Sequence, residues 1–327
     1  MRLVRNLALT LTGLAILLAI AGSSYQMVTT HADARRFPEP GRLVNIGGSR
    51  LKLNCTGAGS PTVILESGLG DVSIEWQPVQ VEIAKFSRVC SYDRAGYGGS
   101  DPGTMPRTSA RIAEELHSLL HFADERPPYV LVGHSFGGYN VRVFNGQFPS
   151  EVAGLVLVDA VQEDEYRVLP PVWNRIGGAL IEHYKYQATW APLLVDLGIA
   201  RLMLHAKGED ENSYLYLQPK YLSARASEVE NIRISAEQAR ASGSLGDKPL
   251  LVLTAGVSPR IGAGLTEQDI DDYQRIWADD LQLRLTHLSN RGKRLLISGS
   301  SHNMPLDRPD AIVNAVHEVY IAAKDTP

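Results

Sequence analysis

Only two cysteines, Cys55 and Cys90, occur in 327 residues, so one internal bridge is the most the chain can form. No basic run follows the N-terminus, and a formal net charge of −4 is too mild to point to nucleic acid. Internal repeats and low-complexity segments are absent as well, which sets aside solenoids and disordered arrays. His117 and His121 stand one helical turn apart, but no third ligand lies near them in sequence. They read as the solvated face of a helix rather than a metal site. With 44% hydrophobic and 21% charged residues, the chain is able to bury one large core, or a core plus a subdomain.

Charge is also missing from the stretch that follows Arg2 and Arg5. From Asn6 to Thr30 nothing is charged, and Leu7 to Ala21 is the apolar heart. Ala19-Ile20-Ala21 offers a cleavage site for a secretory signal, and the run is equally long enough to span a bilayer uncleaved, arginines inside. Weak apolar character continuing through Tyr25, Met27 and Val28 tilts the reading toward an anchor. Either way the rest of the chain is expected outside the cytoplasm. Residues 1–30 are thus a signal or anchor, and 31–42, with Pro38 and Pro40, a linker.

The stretch that organises what remains is Tyr129-Val130-Leu131-Val132 running into Gly133-His134-Ser135-Phe136-Gly137-Gly138. A strand, a serine between glycines and an amphipathic helix together describe a turn so tight that the hydroxyl is lifted clear of the backbone. The N–H of Phe136, at the helix start, then faces an oxygen bound at Ser135. Other strands read as Leu43–Ile46, Leu51–Cys55, Thr62–Glu66, Arg88–Tyr92, Leu250–Leu253 and Arg294–Ile297. Gly154–Val158 is a continuous apolar run, the mark of a parallel strand buried on both faces. Ser67-Gly68-Leu69-Gly70 directly after a strand brings backbone N–H groups close to a ligand. Between 160 and 247 the strand–helix rhythm breaks into a tyrosine-rich helical insertion, expected to act as a lid.

These motifs, with Tyr92-Asp93-Arg94-x-Gly96-x-Gly98 and Ser301-His302 before Leu306-Asp307-Arg308-Pro309, resemble the lidded branch of the α/β-hydrolase family. The resemblance covers roughly 43–323. It implies a mostly parallel central sheet flanked by helices, with the core at 43–159 and 248–327 and the lid at 160–247. Esterases, lipases, proline iminopeptidases, carbon–carbon bond hydrolases and cofactor-free haloperoxidases share this branch. Haloalkane dehalogenases and epoxide hydrolases carry aspartate at the elbow, where this chain has Ser135. The resemblance also places the second oxyanion N–H on Leu69. It sets the second strand antiparallel to the fourth, so that Cys55 and Cys90 stand close enough for a bridge; two buried thiols are the alternative.

A serine hydroxyl needs a histidine to take its proton and a carboxylate to hold that histidine. His302 alone among nine histidines sits in a small-residue loop after a strand, whereas His134, mid-elbow, points away from the hydroxyl. The acid departs from the common pattern. Thr254-Ala255-Gly256-Val257-Ser258-Pro259-Arg260 has no carboxylate, and Glu267 and Asp269 suit the first turn of the next helix. Asp159, ending the strand after the elbow unit, is the acid of choice, ahead of Glu163, Asp164 and Asp269. The expected function is hydrolysis of a small, apolar acyl compound, foremost a carboxylic ester, with no metal or organic cofactor implied. An amidase or peptidase and a haloperoxidase-like perhydrolase are the alternatives within enzymes, and a non-catalytic binding protein the alternative outside them.

Overall fold

The structure, a computed structural model, describes residues 1–36, 40–205, 213–257 and 264–324. Eight strands make one sheet: β1 (Arg42–Asn45), β2 (Arg50–Thr56), β3 (Thr62–Glu66), β4 (Val89–Tyr92), β5 (Tyr129–His134), β6 (Val152–Val158), β7 (Leu250–Ala255) and β8 (Gly292–Ile297). Their spatial order is β1-β2-β4-β3-β5-β6-β7-β8. The pairs β1/β2 and β2/β4 are antiparallel and every other pair is parallel. β3, β5 and β7 are buried at every position because helices cover both faces, which is why their sequences are apolar throughout. β2 buries Leu51 and Leu53 and leaves Lys52 and Asn54 partly exposed, the period-2 pattern of a strand covered on one face.

Alternation along the strands divides the core in two. Val63, Leu65, Val130, Val132, Val156 and Val158 face α2 (Gln77–Ile83) and, at the other end of the chain, Ile312, Val316 and Val319 of the last helix. Ile64, Leu131, Leu155 and Leu157 point the opposite way, into α3 (Ser109–Phe122) and α4 (Gly137–Gln147). Cys55 and Cys90 are direct partners in the β2/β4 register and form a disulfide, their sulfurs 2.07 Å apart. Strand order reverses between β3 and β5. The carboxyl ends of those two strands therefore open a crevice, the place where ligands bind in open α/β sheets.

Between β6 and β7 lie α5 (Glu165–Val168), α6 (Pro171–Asp196), α7 (Ile199–His205), α8 (Ser213–Tyr216), α9 (Pro219–Glu230) and α10 (Ile232–Ala241). They do not form one uniform flap. Arg94, buried in the body, pairs with Glu228 on α9 at 2.9 Å, and Tyr97 donates to the same carboxylate at 2.6 Å. Ser235 and Gln238 of α10 accept from the first backbone N–H groups of α3, at 3.0 and 2.9 Å. So α9 and α10 are continuous with the body, against the expectation of a single lid over 160–247. The outer layer is α6 and α7. After β7 come α11 (Glu267–Ile276), a π-helical turn at Trp277–Leu281 and α12 (Gln282–Thr286); after β8 come α13 (Met304–Asp307) and α14 (Pro309–Lys324).

Ahead of the sheet, α1 spans Arg2–Arg36 and is long and apolar enough to cross a membrane. It continues six residues past Thr30 into what the prolines marked as linker; Pro38 lies outside the described residues. His117 also differs from expectation. Its ring stacks on Phe148 at 3.8 Å and its Nε2 meets Glu151 at 3.1 Å, so it is packed on one side and still partly solvated, while His121 is exposed as expected.

Candidate active site

The site begins with two residues in the left-handed region. Ser135 has φ +50° directly after β5, and Asp159 has φ +40° directly after β6. For residues with a Cβ that conformation costs on the order of 1–3 kcal/mol, and it persists only where the surroundings over-determine it. Here they do. A Cβ on Gly133 would come 2.7 Å from the Gly137 carbonyl oxygen, and one on Gly138 2.5 Å from Ala160 Cβ, so the elbow closes only on glycines. The Ser135 N–H donates to Val158 O at 3.1 Å and the Asp159 N–H to Leu253 O at 2.7 Å, fixing both turns to the sheet edge.

His302 comes from the loop after β8 and meets both. Its Nε2 lies 2.9 Å from Ser135 Oγ, and its Nδ1 lies 2.6 Å from Asp159 Oδ2. Asp159 Oδ1 accepts from the Ala255 N–H and from Trp277 Nε1–H, both at 2.9 Å. A carboxylate so engaged accepts a hydrogen bond from Nδ1–H and so holds the proton on that nitrogen, which leaves the lone pair of Nε2 toward the serine hydroxyl. Burial opposes charging the His302 ring, but the hydrogen bond and charge of Asp159, joined by Asp71 and Glu165, raise its pKa above the ordinary histidine value. The side chain is 46% solvent-accessible and forms part of the wall of a cavity.

That cavity, about 230 Å³, is lined by Ser135, Val161, Glu165, Val257, Tyr273 and Trp277 among others. An open cleft of about 530 Å³ beside Gly47, Pro102 and Arg111 is larger but has no histidine on its walls, so size does not select the site. Tyr273 and Trp277 stack at 5.6 Å and give one apolar wall. Glu165 is buried in the opposite character of environment for a carboxyl, and burial pushes it up to about 7 against the pull of the Tyr166 hydroxyl and of His302.

On the other side of Ser135 lies the loop after β3. A Cβ on Gly68 would stand 3.3 Å from Ser135 Cβ, which measures how close this loop runs. Arg94 donates to Ser67 O at 2.8 Å and to Gly68 O at 2.7 Å. Because a trans peptide sets C=O and N–H in opposite directions, the Leu69 N–H is turned away from Arg94. Arg94 itself is held between Glu66 at 3.0 Å and Glu228 at 2.9 Å, with all three side chains buried. Tyr216 of the insertion donates to Glu75 at 2.7 Å and Tyr221 to Gly70 O at 3.0 Å, so the insertion also grips this loop from outside.

Of the alternative acids, none meets the imidazole. Glu163 pairs with Arg142, Asp164 with Arg240 and Arg284, and Asp269 completes a capping box with Thr266. Ser258, Pro259 and Arg260 lie outside the described residues. His134 turns its ring from the hydroxyl but is not remote: its Nε2 is 2.8 Å from the His302 carbonyl oxygen and its Nδ1 3.4 Å from Asp71. Sequence reasoning missed this role, and missed Trp277, Glu165 and Asp71. Only the histidine beside the nucleophile offered a local signal for any of them.

A strand-borne serine, a late histidine and a mostly parallel eight-stranded sheet define the hydrolases built on the α/β scaffold. The chain belongs to the alpha/beta hydrolase family, whose model matches residues 63–315. The Bacillus subtilis protein YqjL is 26% identical over 269 residues, covering 82% of this chain and 86% of that one. Relatives at 33–35% identity align over 34–39% of this chain, and the chain spans only 19–33% of their length. Among solved structures, a thermophilic esterase from Thermogutta terrifontis superposes with TM-score 0.57 at 19% identity, covering 86% of this chain and 98% of that one. A variant of a candidate epoxide hydrolase from Pseudomonas aeruginosa gives TM-score 0.61 at 20% identity, with 87% and 96% covered. At such identities the likeness is one of fold.

Proposed function

We propose that the chain is a serine hydrolase that cleaves small carboxylic esters through an acyl-enzyme. The observation that carries the reading is the single imidazole bridging Ser135 Oγ at 2.9 Å and Asp159 at 2.6 Å. In the first half-reaction Ser135 Oγ attacks the ester carbonyl carbon as its proton passes to His302 Nε2. The Leu69 and Phe136 N–H groups receive the developing oxyanion, and His302 then gives that proton to the departing alkoxide. In the second, water gives a proton to His302 Nε2 and attacks the acyl carbon; the bond to Ser135 Oγ then breaks as His302 returns the proton to that oxygen, releasing the acid and regenerating Ser135. Asp159 keeps Nδ1 protonated throughout.

A cavity of about 230 Å³ with a Trp277–Tyr273 wall favours short, uncharged acyl groups, being smaller than the roughly 300–1,000 Å³ of drug-sized sites. The family's epoxide-hydrolase branch relies on an elbow aspartate, which Ser135 replaces. Export follows from the same reading: α1 serves as signal or anchor, and the Cys55–Cys90 bridge suits an oxidising compartment. A fluorophosphonate probe should label the folded protein at Ser135 and not the Ser135→Ala variant, and p-nitrophenyl acetate or butyrate should turn over faster than the laurate. Folded protein that neither takes the probe nor hydrolyses any ester would overturn the proposal in favour of a binding role.

A further inference from the structure

The outer helices of the insertion expose apolar side chains in a pattern that water does not explain. On α6, Tyr186, Trp190 and Leu193 recur at i, i+4 and i+7 and are 65%, 56% and 57% exposed. On α7, Ile199, Leu202 and Met203 recur at i, i+3 and i+4 and are 39%, 58% and 59% exposed. An apolar stripe of this kind normally faces a core, and a contiguous exposed patch marks an interaction surface.

What covers the stripe is indicated by its neighbour. α1 docks where α6 passes into α7: a Cβ on Gly22 would lie 2.2 Å from the Leu197 carbonyl oxygen, and one on Gly198 2.9 Å from Gly22 O and 3.2 Å from Tyr25. Arg201 locks the joint, reaching Gln26 at 3.1 Å and Asp33 at 2.5 Å. At 1.5 Å per residue, Arg5 to Gly22 spans about 25 Å and Arg5 to Tyr25 about 30 Å, the thickness of a bilayer's hydrocarbon core. The joint therefore falls at the far membrane boundary, and the stripe extends from it along both helices. Trp and Tyr are the residues that favour that depth.

We infer that the exposed stripe of α6 and α7 lies in the headgroup–acyl boundary of the bilayer that α1 spans, seating the insertion on the membrane as a second, interfacial contact. The inference rests on α1 acting as an uncleaved anchor, and it is independent of the ester chemistry.

Trp190 provides the test, because Trp76, Trp173 and Trp277 are all buried. The full-length protein is reconstituted into phosphatidylcholine vesicles with and without bromines near the top of the acyl chains, and flotation and tryptophan emission are both recorded. The expected result is co-flotation with quenching of the emission component that Trp190→Phe removes; the circular dichroism spectrum and urea midpoint of that variant check its fold. Failure to float removes the anchor reading and the inference with it. Flotation with an unquenched Trp190 leaves the anchor standing and overturns the interfacial contact. A water-like emission would then mean a solvated face, and a blue-shifted one a face covered by protein.

Discussion

At the scale of single residues, the site is organised by what Asp159 receives. Three N–H groups converge on one carboxylate, from Ala255, Trp277 and His302, and each removes a reason for the imidazole to turn. Replacing Asp159 by Asn presents an N–H to Nδ1 and favours the wrong tautomer. We expect kcat for p-nitrophenyl acetate to fall by about 10³–10⁴-fold with the circular dichroism spectrum unchanged, whereas Asp269→Asn stays near wild type. Glu165 governs a second, pH-dependent effect. Its negative charge is among the causes that raise His302, and the base works only when neutral. Rate should therefore rise with pH through a midpoint above the usual histidine value, and Glu165→Gln should move that midpoint down. Stability carries the opposite signature. A carboxyl at 4.5 when exposed and about 7 when buried binds more protons folded than unfolded, so its contribution is lost as pH rises from 4.5 to 7. Glu165→Gln should thus stabilise the protein at pH 8, by about 3 kcal/mol at most, and change little at pH 4, as read from urea midpoints.

At the scale of elements, the insertion divides into an inner and an outer layer. The inner pair, α9 and α10, is bound by the Arg94–Glu228 ion pair and by side chains that cap the start of α3. The outer pair, α6 and α7, rests on few buried residues, Trp173, Val195 and Arg201 among them. Backbone amides of α9 and α10 should exchange on the timescale of the sheet, and those of α6 far faster in detergent-solubilised protein. Equal exchange across all four helices would remove the distinction. Removing Arg94 tests the joint itself. Arg94→Met strands Glu66 and Glu228 together in the interior, and the expected loss is about 3–5 kcal/mol. The same change frees the carbonyls of Ser67 and Gly68, so any folded fraction should show kcat lowered more than KM is raised.

For the molecule as a whole, the α/β body meets the long apolar helix α1 at the junction of α6 and α7, and its sheet ends in an antiparallel edge, β1-β2-β4. The disulfide lies at that edge, holding β2 to β4 between residues 35 apart in sequence. In the chain-entropy model a loop of that length contributes roughly 3–4 kcal/mol, so Cys55→Ser with Cys90→Ser should lower the unfolding free energy by about that amount without abolishing ester hydrolysis. Unchanged urea midpoints with and without reductant would show that the bridge does not contribute.

Much of this architecture was legible in the residues alone. All eight strands announced themselves, because a strand buried on both faces must be continuously apolar and one covered on a single face must alternate. The elbow was legible for a related reason: a left-handed serine between crowded glycines leaves its mark on adjacent positions. His302 and Asp159 followed from lying just past strand ends, since all parallel strands deliver their carboxyl ends to one edge. What sequence order concealed is contact between distant segments. Glu228 reaches Arg94 across 134 positions and Trp277 reaches Asp159 across 118, and neither leaves a local pattern. The helix-forming character of 160–247 predicted one lid, but one buried ion pair on α9 and the caps that α10 gives to α3 tie its last two helices to the body. The apolar N-terminal run was plain to read. That it packs against the junction of α6 and α7 was decided by tertiary packing, where glycines at 22 and 198 permit the helices to touch.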